Sequence, residues 1–395
     1  MTSAPAFDSA LTPATRGVAI PPFYAGQIGA RAAERARRGL EVIPMHFGQP
    51  SERAAPAALA AARAHLEGSV AGPAGYWESA ALRERIALHY REQHGVEVSP
   101  ERILLTTGAS AGLVATFTAL FAAGDRVALA RPGYPAYRNA LRALGRVAVE
   151  IDCGPEHGFR LAPERLPPTS EALHGLLVAS PANPTGSVLA AAELAALAGE
   201  CRRRGMRFIS DEIYHGIAYG QRCATALQVE PEALVINSFS KLFRMPGWRI
   251  GWLVAPQACV ATVHSHLINF FLTPPAIAQH AALAAFDDLA LLRRSVETYA
   301  ANRARLLEAL PTMGLTGIAP PEGAFYLYVD VGRLTDDSLA FCKELLDETG
   351  IATAPGIDFD PVHGNGFVRL SFAISEREVE RAVVLLGPWL GARAS

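Results

Sequence analysis

"NSFSKLFRMPGWRIGW", residues 237–252, holds one of only two lysines in a 395-residue chain with 36 Lys and Arg together, so 34 of the 36 (36 − 2) are arginine. A sequence that takes nearly all its positive charge from arginine has a chemical reason to keep Lys241. Guanidinium stays protonated, whereas an amine can lose its proton near neutrality and act as nucleophile or base. Ser238, Ser240 and Arg249 stand nearby, adding two hydroxyls and a guanidinium. Trp248, Ile250 and Trp252 flank Arg249 with alternating apolar character, unlike a solvated loop. A phosphate with an electrophile attached would suit such a set.

Working outward, "ALVINSFSK" reads as a strand running into this loop and "RIGWLVA" as the strand leaving it. Upstream, "ERILLTTG", "DRVALARPG", "RVAVEID", "GLLVASPANPTG" and "MRFISDEIY" are five more short, β-rich apolar runs. Helical patterns fall among them: "SAALRERIALHYREQHG" (79–95), a helix from Ser110, "YPAYRNALRALG" and "AAELAALAGECRRRG". This alternation predicts an α/β fold whose large domain is a mainly parallel seven-stranded sheet flanked by helices. Ligand chemistry is then expected beyond the carboxyl ends of the strands. The rhythm changes after a helix-like run at 287–310, where "GAFYLYVDV", "SLAFCKELLDETG", "GFVRLSFA" and a closing helix from Ser375 predict a smaller α+β domain. The expected division is an N-terminal arm and part of the small domain (1–46), the large domain (47–286) and the small domain (287–395).

Composition narrows the function classes. Half the residues are hydrophobic, enough for a sizeable core in about two or three domains. A formal net charge of −2 leaves no basic excess for nucleic acid or anionic lipid. The opening residues do not read as a secretory signal, and no apolar run reaches the ~20 residues that span a bilayer. A cytoplasmic protein is expected. Cys153, Cys201, Cys223, Cys259 and Cys342 are scattered without metal-ligand spacing, so they read as small apolar residues and no metal is expected.

The strand ends carry candidate chemistry. "TTGASAG" puts Gly108, Ala109 and Ser110 at a helix N-terminus, where free N–H groups and the helix dipole favour phosphate. A tight turn explains the same residues, as a turn device explains Asn183 in "PANPTG". "SDEIYHG" sets Asp211, Glu212 and Tyr214 at another strand end, with a helix cap as the plain alternative.

In sequence order, "RPGYPAY", "PANPTG", "SDEIY", "SFSKLFRMPGWRIGW", "PEGAFYLYVDV" and "FVRLSFA" resemble the motifs of the class I and II aminotransferases. These are the fold-type I, aspartate aminotransferase-like enzymes dependent on pyridoxal 5′-phosphate. The resemblance runs from Gly48 to Arg369. It implies that Lys241 forms the Schiff base with the cofactor aldehyde and later carries the substrate proton, while Asp211 pairs with the pyridine nitrogen. It likewise implies that Tyr214 and Asn183 bond the ring oxygen, Tyr134 stacks on the ring, and the phosphate sits among Gly108, Ala109, Ser110, Ser238, Ser240 and Arg249. Tyr76 would reach the phosphate of a second subunit in a homodimer with shared sites. Arg369 matches the arginine that grips the substrate carboxylate, and Gly48 a turn whose backbone lies against substrate.

The expected reaction moves an α-amino group between an L-amino acid and a 2-oxo acid by a ping-pong mechanism. A lyase, decarboxylase or cyclase of the same fold remains open, because those reactions use the same residues. A non-catalytic regulator of this fold would carry a preceding DNA-binding domain, for which the residues before "VIPMHFG" are too few. "SFSK" also fits S-x-x-K, but the acylase scheme needs a later K-T-G that is missing. No arginine can be assigned to a second substrate carboxylate among Arg16, Arg53 and Arg138, and a medium-sized neutral or aromatic amino acid is expected.

Overall fold

The computed structural model describes residues 17–68 and 77–394. Tyr76 and Arg16 lie outside the described residues. Helix α1 (Tyr24–Arg37), strand β1 (Ile43–Pro44) and helices α2 (Pro56–Leu66) and α3 (Ala80–His94) precede the main sheet. The positions read at helical spacing, Leu82, Ile86 and Tyr90, are the buried face of α3. Ser79 caps that helix by accepting from the Leu82 N–H, and Gly95 ends it in the left-handed conformation at φ 67°.

The alternating region comprises β2 (Ile103–Thr106), α4 (Gly108–Leu120), β3 (Arg126–Arg131), α5 (Pro135–Ala143), β4 (Val147–Asp152), β5 (Gly175–Ala179), α6 (Ala191–Arg204), β6 (Arg207–Asp211), β7 (Leu234–Ser238) and β8 (Gly251–Val254). Its strands form one seven-stranded sheet in the order β2-β8-β7-β6-β5-β3-β4. Strand β8 runs antiparallel to both neighbours, and the remaining pairs are parallel.

Side-chain alternation divides the apolar runs between two cores. Leu129, Leu177, Ile209, Ile236 and Leu253 pack on the face that carries α4 and α7, whereas Ala128, Val178, Phe208, Val235 and Trp252 pack on the opposite face with α3 and α6. Helices cover both faces, so the middle positions of the strands are apolar on both sides and polar residues such as Arg126, Arg207, Asp211 and Ser238 fall at strand ends. Each buried Leu, Ile, Val or Phe contributes roughly 1.5–3 kcal/mol.

Several strands stop short of the predicted spans. Strand β6 ends at Asp211 rather than Tyr214, β7 ends at Ser238 rather than Lys241, and β8 starts at Gly251 after Arg249, whose φ of 55° cannot continue a ladder. Helix α4 starts at Gly108, two residues before the predicted Ser110. At this edge the chain turns aside and frees side chains from the sheet. The reversal of β8 also brings its first residues to the carboxyl ends of its neighbours, with Gly251 opposite Ser238.

Helices α7 (Val260–Phe271), α8 (Ala276–Ala285) and α9 (Leu289–Thr312) lead to β9 (Tyr326–Asp330), α10 (Ser338–Thr349), β10 (Ile351–Ala352), β11 (Ala354–Pro355), β12 (Phe367–Ser371) and α11 (Glu376–Ala394). Strands β11, β12 and β9 form an antiparallel sheet, while β1 pairs in parallel with β10. Ile28 and Ala32 of α1 share a core with Leu306, Leu345 and Leu386, so the N-terminal helix packs with C-terminal elements. Cys153, Cys201, Cys223 and Cys342 are buried, and none of the five cysteines is bonded to another. Among the described residues no helix is long and apolar enough to cross a membrane.

Candidate active site

A cavity of about 250 Å³ opens at the carboxyl edge of the sheet. Gly48, Ala109, Ser110, Tyr134, Asn183, Asp211, Tyr214, Ser240, Lys241, Arg249 and Arg369 line it, so residues up to 321 positions apart (369 − 48) meet in one place. The Lys241 Nζ donates to the Gly48 carbonyl at 2.5 Å and lies 5.6 Å from the centre of the Tyr214 ring. Burial, reinforced by the nearby Arg369 cation, pulls the amine down to about 8. A side chain on Gly48 would collide with the Tyr326 hydroxyl, which explains glycine at this turn.

Arg369 comes from β12 and is 2 % exposed. Its guanidinium donates to Asn183 Oδ1 at 2.8 Å and to the His46 carbonyl at 2.7 Å, and lies 4.4 Å from the centre of the Tyr326 ring and 4.6 Å from that of Phe359. Both hydrogen bonds go to neutral oxygens, and Nε has no partner. A buried cation with no carboxylate hydrogen-bonded to it is costly, and Asp358, whose carboxyl feels the Arg369 charge, offsets this only from a distance. Here Arg369 lines the cavity, where a planar carboxylate could pair with it.

Asp211, at the end of β6, is 3 % exposed. Its carboxylate accepts from the Tyr137 hydroxyl at 2.7 Å and the Ile213 N–H at 3.1 Å, while burial raises it to about 6. The Tyr214 hydroxyl pairs with that of Tyr326 at 2.6 Å. Next to it in sequence, Glu212 turns to the other side: it accepts from Thr225 Oγ1 and the Ala226 N–H and serves the packing there.

An anion cradle completes the cavity. The start of α4 has no side-chain cap, leaving its first N–H groups available. Arg249 is exposed, and its guanidinium donates to the Pro246 and Thr107 carbonyls, with no carboxylate bond. Gly108, at φ 75°, lets that guanidinium lie against the helix start where any side chain would collide with it. Ser240 Oγ lines the cradle. Ser238 does not line the cavity: its Oγ donates to Ser240 Oγ at 2.8 Å and lies 3.1 Å from the Ile250 carbonyl.

Sequence reading missed Tyr137, Tyr326, Phe359 and the mouth residues Phe23 and Phe47. Tyr137 was accessible in principle, since it lies three residues after Tyr134 at the start of α5. Arg138 is buried and donates to the Asp358 and Phe359 carbonyls, and Arg53 does not line the cavity. Neither meets a substrate there.

Comparison with known proteins identifies the family. The profile of the family described as aminotransferase class I and II matches residues 41–386. A valine–pyruvate aminotransferase from Mycobacterium tuberculosis is 44% identical over 375 residues, covering 94% of this chain and 97% of that protein. A crystal structure of an aminotransferase from Mycobacterium tuberculosis superposes with a TM-score of 0.91 at 44% identity, covering 94% of this chain and 97% of the other. Aspartate aminotransferase from Thermus thermophilus, solved with maleate, superposes at 0.86 with 31% identity, covering 95% and 100%. With an amine and two arginines lining one cavity, and with these likenesses along nearly its whole length, the chain belongs to the class I and II aminotransferases.

Proposed function

We propose that this aminotransferase uses pyridoxal 5′-phosphate to transfer the α-amino group of a neutral L-amino acid, valine being the first to test, to a 2-oxo acid such as pyruvate. The observation that carries the reading is the pairing in one cavity of the Lys241 amine, held near 8, with the buried Arg369, whose hydrogen bonds go to neutral oxygens. The residues present fit the cofactor. Arg249, Ser240 and the N-terminus of α4 suit its phosphate, Asp211 suits a ring N–H⁺, and Tyr134 and Asn183 line the space between. When bound, the cofactor withdraws electrons from the substrate Cα.

The protein supplies the rest. Arg369, its plane set by Asn183 and the His46 carbonyl, holds the α-carboxylate as a fork. Lys241 Nζ would take up and hold the substrate Cα proton, which an amine near 8 can do at neutral pH. Asp211 remains ionised beside a cation, and the Tyr137 hydroxyl fixes its orientation. Phe23 and Phe47 limit water at the mouth.

The enzyme is read as a cytoplasmic homodimer, with residues 1–46, 47–286 and 287–395 as arm, large domain and small domain. Phe270 and Leu272, 58% and 45% exposed at the end of α7, are apolar side chains that a second copy would cover. Sedimentation reads the assembly directly.

Holoenzyme mixed with one L-amino acid and no acceptor should release one equivalent of 2-oxo acid per site, retain the nitrogen, and pass it to 2-oxo acid added later. Release of ammonia or carbon dioxide instead would assign lyase or decarboxylase chemistry to the same residues.

Lys241 also predicts a stability signature in cofactor-free protein. Its folded pKa is lowered from 10.5 to about 8, so the buried charge costs stability fully below about pH 8. That cost fades as pH rises from about 8 to 10.5. The melting temperature of Lys241→Met should therefore gain most over wild type at pH 7 and lose that advantage by pH 10. A pH-independent difference would contradict a depressed amine.

A further inference from the structure

We propose that Asp358 is a positioning residue for substrate selection: by capping α1 it holds Phe23 at the cavity mouth, so that amino acids with apolar side chains are favoured. The inference rests on the amino-transfer reading above.

Helix α1 has no cap of its own. Phe23 occupies its N-cap position without a side-chain hydrogen bond, and the first turn contains no acidic residue. The Asp358 carboxylate supplies what is missing from 334 positions away, accepting from the Tyr24 N–H at 2.7 Å and, through its other oxygen, from the Ala25 N–H at 2.8 Å. Two charge-assisted bonds at the positive end of the helix dipole fix the residue that precedes them. That residue is Phe23, 41% exposed and lining the cavity. Farther along α1, Gly29 leaves room for the Phe47 ring, since a Cβ there would lie 2.5 Å from Phe47 Cζ. Phe47 also lines the cavity, so α1 braces both rings.

The cap is tied to the catalytic side of the cavity. Asp358 is 2 % exposed, in a turn whose Asp358 and Phe359 carbonyls accept from Arg138. Arg138 follows Tyr137, the donor to Asp211, on α5. Phe359 also stacks against Arg369. One short turn thus holds the rings at the mouth and the carboxylate fork in a common frame. Lys241, Arg249 and Arg369 are the cations among the described lining residues, and all have assigned partners or roles. A second substrate carboxylate would face Phe23 and Phe47 unpaired.

The test is kcat and KM of the holoenzyme toward L-valine and L-aspartate for wild type, Asp358→Asn, Asp358→Ala and Phe23→Ala. Wild type should prefer valine. Asp358→Ala should raise KM for valine about tenfold, the loss expected for a missing cap, with kcat much less affected and the valine-to-aspartate ratio of kcat/KM reduced. Asp358→Asn, which keeps an acceptor, should recover most of that ratio. Phe23→Ala should lower it too, and adding Asp358→Ala should then bring little further loss. A folded Asp358→Ala with the wild-type ratio, or a wild type that prefers aspartate, would overturn the proposal. Should Asp358→Ala fail to fold, Phe23→Ala decides, and an unchanged ratio there has the same force. Wild type inert toward every amino acid would instead defeat the amino-transfer reading, and this proposal with it.

Discussion

Replacing Lys241 with alanine should lower the rate of amino transfer by at least about 10⁴-fold, the upper range for one proton-transferring group, because the same amine is also the attachment point proposed for the cofactor. No other amine side chain lines the cavity among the described residues. The second lysine, Lys343, lies on α10 and does not line the cavity. Borohydride reduction of cofactor-loaded wild type, followed by peptide mapping, should place the fixed cofactor on the peptide containing Lys241, and Lys241→Ala should show no fixed cofactor. Lys241→Arg should fail as well, since guanidinium keeps its proton at working pH. A variant that retains covalent cofactor, or turns over within tenfold of wild type, would remove Lys241 from the centre of the mechanism.

The second large effect is expected at Arg369. Arg369→Lys keeps the charge but loses the planar fork held by Asn183 and the His46 carbonyl. Mispairing a buried charged contact costs about 2–4 kcal/mol, roughly 30- to 10³-fold in kcat/KM. Most of that loss should appear in KM for both the amino acid and the 2-oxo acid, because each presents the same carboxylate. Cofactor affinity, measured by equilibrium dialysis, should remain near wild type, since the proposed phosphate contacts are Arg249, Ser240 and the start of α4. Equal loss of cofactor and substrate binding would make Arg369 a structural residue, supporting Asn183 and the stacked Tyr326 and Phe359 instead.

Much of this protein is written locally. The sheet was legible because strands covered by helices on both faces are apolar on successive positions through their middles, and Leu177 beside Val178 shows how adjacent residues serve opposite cores. Lys241, Asp211 and Arg249 were legible because chemistry at a strand end demands residue types that packing does not: an amine in an arginine-rich chain, a carboxylate after an apolar run. Tertiary structure decided the relations among them. That Tyr137, 74 positions away, joins the nearby Ile213 N–H in orienting Asp211, that Ser238 turns from the cavity toward Ser240 and Ile250, and that Arg138 serves two carbonyls are outcomes of packing. The cap on α1 is the extreme case, joining residues 334 positions apart. Periodicity and residue type record what each segment must bury or present. Which distant group satisfies a given donor is settled only when the elements pack and every buried polar group must find a partner.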